Sequence, residues 1–224
     1  MKNKFIIIII SLFISTISYA ENLLIEAKNI TIDKDKVTSV FKNKVVIKTK
    51  EKIIKSEFAK YNKDLGIIII KEKVEAKDEL NNIINTEYAE YNEKSKILKS
   101  KGVTKITTPD NYILQGEDII VDNQNKVIFS DKDSTLKDLD DNKIFLENFE
   151  YSMKTNIFKS IGLVKLKDKE NNTYEFSQTY IDTKKKEILG TDIKVYLNQE
   201  DFKINKRNNP RLFANSAKVS SDKS

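Results

Sequence analysis

The chain has 224 residues, no Cys, no His, five Gly and two Pro, and its 40 basic and 34 acidic side chains give a formal charge of +6. Without Cys or His it has no Ser-His-Asp triad, no Cys-His dyad, no ordinary zinc site and no disulfide staple. The charges are interspersed rather than blocked, and Arg207 and Arg211 are the only arginines, so nucleic acid is not the expected partner.

Residues 1–20 read as a secretory signal peptide. Lys2 and Lys4 form the basic start, Phe5–Ile17 is a largely apolar stretch, and Ser18-Tyr19-Ala20 is a small-x-small cleavage site. The stretch is short for a membrane span, and no Cys near the cleavage point offers a lipid anchor. The mature chain is expected outside the cytoplasm.

From Leu24 onward, strand-forming residues dominate, and a period of thirty residues organises them. An anchor column runs Ile32, Tyr61, Tyr91, Val121, Tyr151, Ile181. Two residues before each anchor stand Ile30, Ala59, Ala89, Ile119, Phe149 and Thr179. Seven residues after each stand Ser39, Ile68, Leu98, Ile128, Phe158 and Ile188, and fifteen after stand Ile47, Ala76, Ile106, Leu136, Leu166 and Tyr196. The stretches Ala89–Ile106 and Phe149–Leu166 also match at polar sites, including Glu90/Glu150, Lys99/Lys159 and Ser100/Ser160. About six structural repeats follow from this register.

Each repeat holds two apolar strands separated by polar turns such as Lys63-Asp64-Leu65-Gly66 and Asp138-Leu139-Asp140-Asp141-Asn142. Residues 50–62 pass for an amphipathic helix in isolation, but the register makes them strand. The expected architecture is all-β: an elongated antiparallel stack of hairpins over residues 21–204, bent into two facing sheets. About twelve strands at ~4.8 Å make a body on the order of 58 Å long. Residues 205–224 read as a polar linker followed by the start of a further unit. The chain stops at Ser224 inside that unit, which favours a truncated chain.

The acidic groups Asp131/Asp133 and Asp138/Asp140/Asp141 lie in turns. They show neither the spacing of a calcium loop nor a glycosidase constellation. No catalytic residue, metal or cofactor is assigned. The repeated apolar columns remain. They form either a core filled by its own side chains or the lining of a slot open along one side, with Tyr61, Tyr91 and Tyr151 at its boundary.

Three segments, 58–74 (FAKYNKDLGIIIIKEKV), 88–103 (YAEYNEKSKILKSKGV) and 116–130 (GEDIIVDNQNKVIFS), carry a resemblance. With the signal peptide, they look like the lipopolysaccharide-transport (OstA) β-jellyroll family. That family includes a periplasmic bridge protein and the N-terminal domain of the outer-membrane lipopolysaccharide-assembly translocon. The similarity runs from about Leu24 to Tyr196, and residues 208–214 look like the linker that follows the jellyroll in the translocon protein.

The resemblance implies a β-taco that holds lipid A acyl chains between its sheets in the periplasm or at the outer membrane. It also implies partner jellyrolls joined edge to edge and an outer-membrane translocon as a further partner. It carries no catalytic motif. The candidate lipid-groove residues are Ile32, Tyr61, Ile68, Tyr91, Leu98, Val121, Ile128, Tyr151, Phe158 and Ile181. The competing readings are a structural β-solenoid or adhesin-like repeat without ligand, and a secreted β-helical carbohydrate enzyme.

Overall fold

The structure, a computed structural model, describes residues 23–34, 36–198 and 211–220. The signal-peptide reading of residues 1–20 and the part of the linker reading up to residue 210 lie outside the described residues, whereas residues 211–214, also read as linker, belong to a strand because their backbone pairs into the sheet. Among those described there are eighteen strands.

The first pass along the body is β1 (Leu24–Glu26) and β2 (Asn29–Ile32), followed by long strands β3 (Thr38–Lys48), β4 (Lys52–Asn62), β5 (Ile67–Asp78) and β6 (Ile83–Asn92). The middle passes are each split in two. They are β7 (Ile97–Ser100) with β8 (Val103–Thr107), β9 (Ile113–Glu117) with β10 (Ile120–Asp122), β11 (Val127–Ser130) with β12 (Ser134–Lys137), and β13 (Lys143–Leu146) with β14 (Phe149–Ser152). Long strands return as β15 (Ile157–Lys167), β16 (Thr173–Asp182), β17 (Glu187–Tyr196) and β18 (Arg211–Ser220).

Every pass pairs antiparallel with the passes before and after it. The pairing is divided at mid-strand. β7 pairs with β10 and β11 with β14, whereas β8 pairs with β9 and β12 with β13. The long strands show the same division as a register shift, between Lys42 and Val45, Lys71 and Val74, and Ile161 and Val164. Residues at these bulges adopt left-handed backbone: Asn43 (φ 65°), Lys44 (φ 53°), Glu72 (φ 66°), Lys73 (φ 53°) and Gly162 (φ 121°). A bulge bends its strand, so the ribbon folds along a spine into two facing layers. In β5 the bend appears as an exposed run, Lys71 to Lys73, between the buried alternations of Ile68 and Ile70 on one side and Val74 and Ala76 on the other. The elongated antiparallel β-jellyroll expected from the repeats is what forms.

A carboxylate column supports the spine. Glu57 accepts from Lys44 N at 3.2 Å, Glu87 from Lys73 N at 3.4 Å and Glu147 from Leu163 N at 2.9 Å. Each satisfies a backbone N–H that the bulge takes out of the ladder. These residues and Glu117 stand thirty apart, a register that a search for apolar columns passes over.

The turns form two rims. One comprises residues 63–66, 93–96, 123–126, 153–156 and 183–186. Here Asn62, Asn92, Asp122, Ser152 and Asp182 accept from backbone N–H groups two or three residues on. On the other rim, Asn81, Asn111, Asp141 and Asn171 take positive φ, which Asn and Asp tolerate best after Gly.

Asp138 accepts there from Asp140 N (2.9 Å), Asn142 N (2.9 Å) and Asn142 Nδ2 (2.7 Å). Replacing Asp138 with Ala is expected to cost about 1–2 kcal/mol. The exposed Asp131→Ala should stay within ~0.5 kcal/mol. Urea midpoints of the two variants make the comparison.

Candidate functional site

Strand pairing turns the sequence columns into rows across the inner face. The anchor column and the column seven residues on interleave into one ladder. It runs Ile32, Ser39, Tyr61, Ile68, Tyr91, Leu98, Val121, Ile128, Tyr151, Phe158, Ile181, Ile188 and Val219, each directly opposite the next. All ten candidate residues therefore lie in a single row of the second layer.

The first layer carries the facing row: Ile25, Ile47, Ile54, Ala76, Ile84, Ile106, Leu114, Leu136, Ile144, Leu166, Tyr174, Val195 and Leu212. Val195 stands where the column reads Tyr196. β16 and β17 pair with no extra residue at the bend, because the step from Gln178 to Glu175 matches that from Thr191 to Lys194. The register therefore arrives one residue early, and Tyr196 turns to the outer face.

Burial grades along the row. Ile68, Tyr91, Leu98, Val121, Ile128, Tyr151, Phe158 and Ile181 are sealed, each at 2 % exposure or less. Tyr61 is half-buried and its hydroxyl donates to Glu93 Oε1 at 2.8 Å, while Ile32 is 63 % exposed. Of the three boundary tyrosines, Tyr61 keeps its hydroxyl at the rim as expected. Tyr91 and Tyr151 do not reach water, because both rims fold over their rows. Tyr151 instead donates to Asn156 Oδ1 at 3.1 Å and stacks on Phe158, with ring centroids 4.3 Å apart. Burial pushes Tyr61 up to about 12, helped by Glu93, and raises Tyr151 further still. These phenols remain protonated donors at any physiological pH.

The ends differ from the middle. At the N-terminal end of the second layer Ile30 is 53 % exposed, and at the C-terminal end of the first layer Leu212 is 61 % exposed, although both stand in inner rows. The apolar lining thus runs the length of the body, closed in the centre and bare at the ends. β18 lies along β17, with Ala217 opposite Gly190 and Val219 opposite Ile188. It places Ala217 and Val219 where earlier repeats have Ala89 and Tyr91, and so adds one more pass to the same stack.

Between the rims lies a polar seam. Lys52, Asn82, Tyr112 and Asn172 line it from one rim, and Asn123, Met153 and Thr183 from the other, all buried. Lys52 is the outlier: a lysine at 3 % exposure whose ammonium sits 5.2 Å from the centroid of the Tyr91 ring in the opposite layer. Its Nζ makes no hydrogen bond among the described residues. Burial drives its pKa down to about 7, against the opposing pull of Asp78 and Glu51. Tyr112 is raised to about 12, by burial first and then by Asp138 and Asp110. These seam positions were not found from the sequence, although they too recur every thirty residues.

The outer faces hold little that is chemical. A hollow of about 640 Å³ lies against the outside of the first layer, where Val103, Phe145 and Leu163 meet Lys137, Lys143 and Lys165. No group of three or more Asp or Glu among the described residues is placed to hold a metal ion.

No family model matches this chain, and no curated protein matches it. Among solved structures, it is similar to the crystal structure of LptH, the LptA-homologous periplasmic component of the conserved lipopolysaccharide transport device from Pseudomonas aeruginosa. The two share 13 % identity over 73 % of this chain and 77 % of that one, with a TM-score of 0.22. At that score the architecture rests on the strand pairing described above.

Proposed function

We propose that this chain is a non-enzymatic carrier for lipopolysaccharide, holding lipid A acyl chains between its layers as they cross the periplasm toward the outer membrane. It works either as a stand-alone bridge or as the N-terminal domain of the outer-membrane translocon. The observation that carries the reading is the pair of facing apolar rows, continuous along the body and bare at both ends. A ~14-carbon chain in water costs on the order of 10 kcal/mol, at ~0.8 kcal/mol per CH₂. A lipid with several such chains needs an unbroken apolar track. Ile32, Tyr61, Ile68, Tyr91, Leu98, Val121, Ile128, Tyr151, Phe158 and Ile181 line that track in the second layer. The edge strands β2 and β18 are where neighbouring jellyrolls pair on and extend it.

A second reading draws on the burial of the same row. Side chains at 2 % exposure or less leave no standing slot between the layers, as in a structural repeat whose core is complete without ligand.

Mass spectrometry of organic extracts from the purified mature protein separates the two readings. The carrier is expected to co-purify with lipid A and, once stripped, to take up added lipopolysaccharide in the micromolar range. A stripped protein that binds none of it is a filled-core repeat, and the carrier reading then fails.

A further inference from the structure

The side chains that cross the mouth of the sandwich point to a device. Lys126, on one rim, forms an ion pair with Glu79 on the other. Further along, the Thr183 hydroxyl donates to Asp110 Oδ2 at 2.8 Å, again from rim to rim. We propose that these pairs form a latch, and that the folded protein opens along the mouth by swinging its layers apart about the spine.

The strand pairing permits this motion. Ladder bonds run within a layer, as β8 to β9 and β7 to β10 illustrate. Parting the rims therefore breaks side-chain contacts and interlayer packing while the ladders stay whole. The φ/ψ change of a hinge falls on a few element-terminal residues. The spine already concentrates its irregular backbone at such points, in the bulges of β3, β5 and β15 and in the breaks between β7 and β8 and between β13 and β14. Glu57, Glu87 and Glu147 keep the bulge amides bonded there whatever the rims do.

Behind the latch the surfaces that part are polar. On opening, water reaches Asn82 Oδ1 and Lys52 Nζ, which make no hydrogen bond among the described residues, while the bonds of Asn82 to Asp78 and of Asn123 to Lys96 stay within their own rims. A seam of this kind opens at lower cost than the largely apolar rows beneath it. Acyl chains reach the interior through this mouth if the carrier reading above is right, but the opening is measurable without any lipid.

The chain contains no Cys, so a single introduced thiol reports on opening. Met153→Cys places it in the seam, where Met153 is 3 % exposed, and Ser160→Cys places it beside the spine at the same 3 %. Each is labelled with 5,5′-dithiobis(2-nitrobenzoic acid) in the parent chain and with Glu79→Gln and Asp110→Ala added. Cutting the latch is expected to speed labelling of the seam thiol about tenfold or more and to leave the spine thiol unchanged. An unchanged seam rate, or equal acceleration at both thiols, overturns the proposal. Asn123→Cys repeats the measurement from the neighbouring turn should Met153→Cys fold poorly. A protein whose latch behaves as expected yet binds no lipopolysaccharide disproves the carrier reading and leaves the latch standing.

Discussion

Replacing Phe158 with Ala is expected to lower the unfolding free energy by about 3–5 kcal/mol, among the largest losses available to one substitution in this chain. Phe158 is 1 % exposed in the sealed part of the second layer's row, opposite Tyr151 and Ile181, and it contacts two other rings. Its centroid lies 4.3 Å from that of Tyr151 and 6.2 Å from that of Phe149. Truncation removes transfer energy and both ring contacts, and a sheet held by its ladder collapses little around the void. Ile161→Ala, at a site 54 % exposed three residues on, is the contrast and should cost under about 1 kcal/mol. Urea titrations of the two variants test the assignment. Similar losses at both sites would mean that the second layer's row is not where the fold is held.

Lys52→Met is expected to act in the opposite direction and stabilise the protein by about 1–4 kcal/mol at neutral pH. The folded state holds Lys52 near 7 through burial, while an unfolded lysine keeps the ordinary value of 10.5. Between these values the unfolded chain binds the extra proton, so this group makes stability rise with pH from about 7 to about 10.5. Below 7 both states carry the charge and the full cost of burying it is present. Above 10.5 neither state does. The gain from Lys52→Met should therefore be largest at and below pH 7 and fade toward pH 10. Thermal melts of parent and variant across that range read it directly. A gain that does not change with pH would mean that the ammonium is not buried as described. Because Lys52 is buried in the seam near enough to Lys126 to feel its charge, the same substitution should also make the closed seam harder to part.

The thirty-residue period was legible because antiparallel hairpins of fixed turn length convert sequence spacing into spatial rows. Tyr61 pairs with Ile68 seven residues on, and Ile68 with Tyr91 twenty-three further, so two columns become one ladder. The turn chemistry was legible too, since Asn62, Asn92 and Asp122 occupy the same place in successive repeats. Two features needed coordinates. Whether the row of Ile68 and Leu98 is sealed or open depends on the distance between layers, and no single strand encodes that. The substitution of Val195 for Tyr196 depends on one absent bulge residue, which shifts the register without changing the composition. The Glu57, Glu87, Glu117 and Glu147 column was present in the sequence, but it follows a polar period rather than an apolar one.

Because each pass is bonded only to the passes beside it, length in this architecture is a matter of counting units. Removing residues 63–92 joins Asn62 to the turn at 93–96, where Asn62 takes over the capping duty of Asn92. It shortens the body by two strand spacings, about 10 Å. A protein built this way changes length by duplicating or losing whole units, with no redesign of the junction.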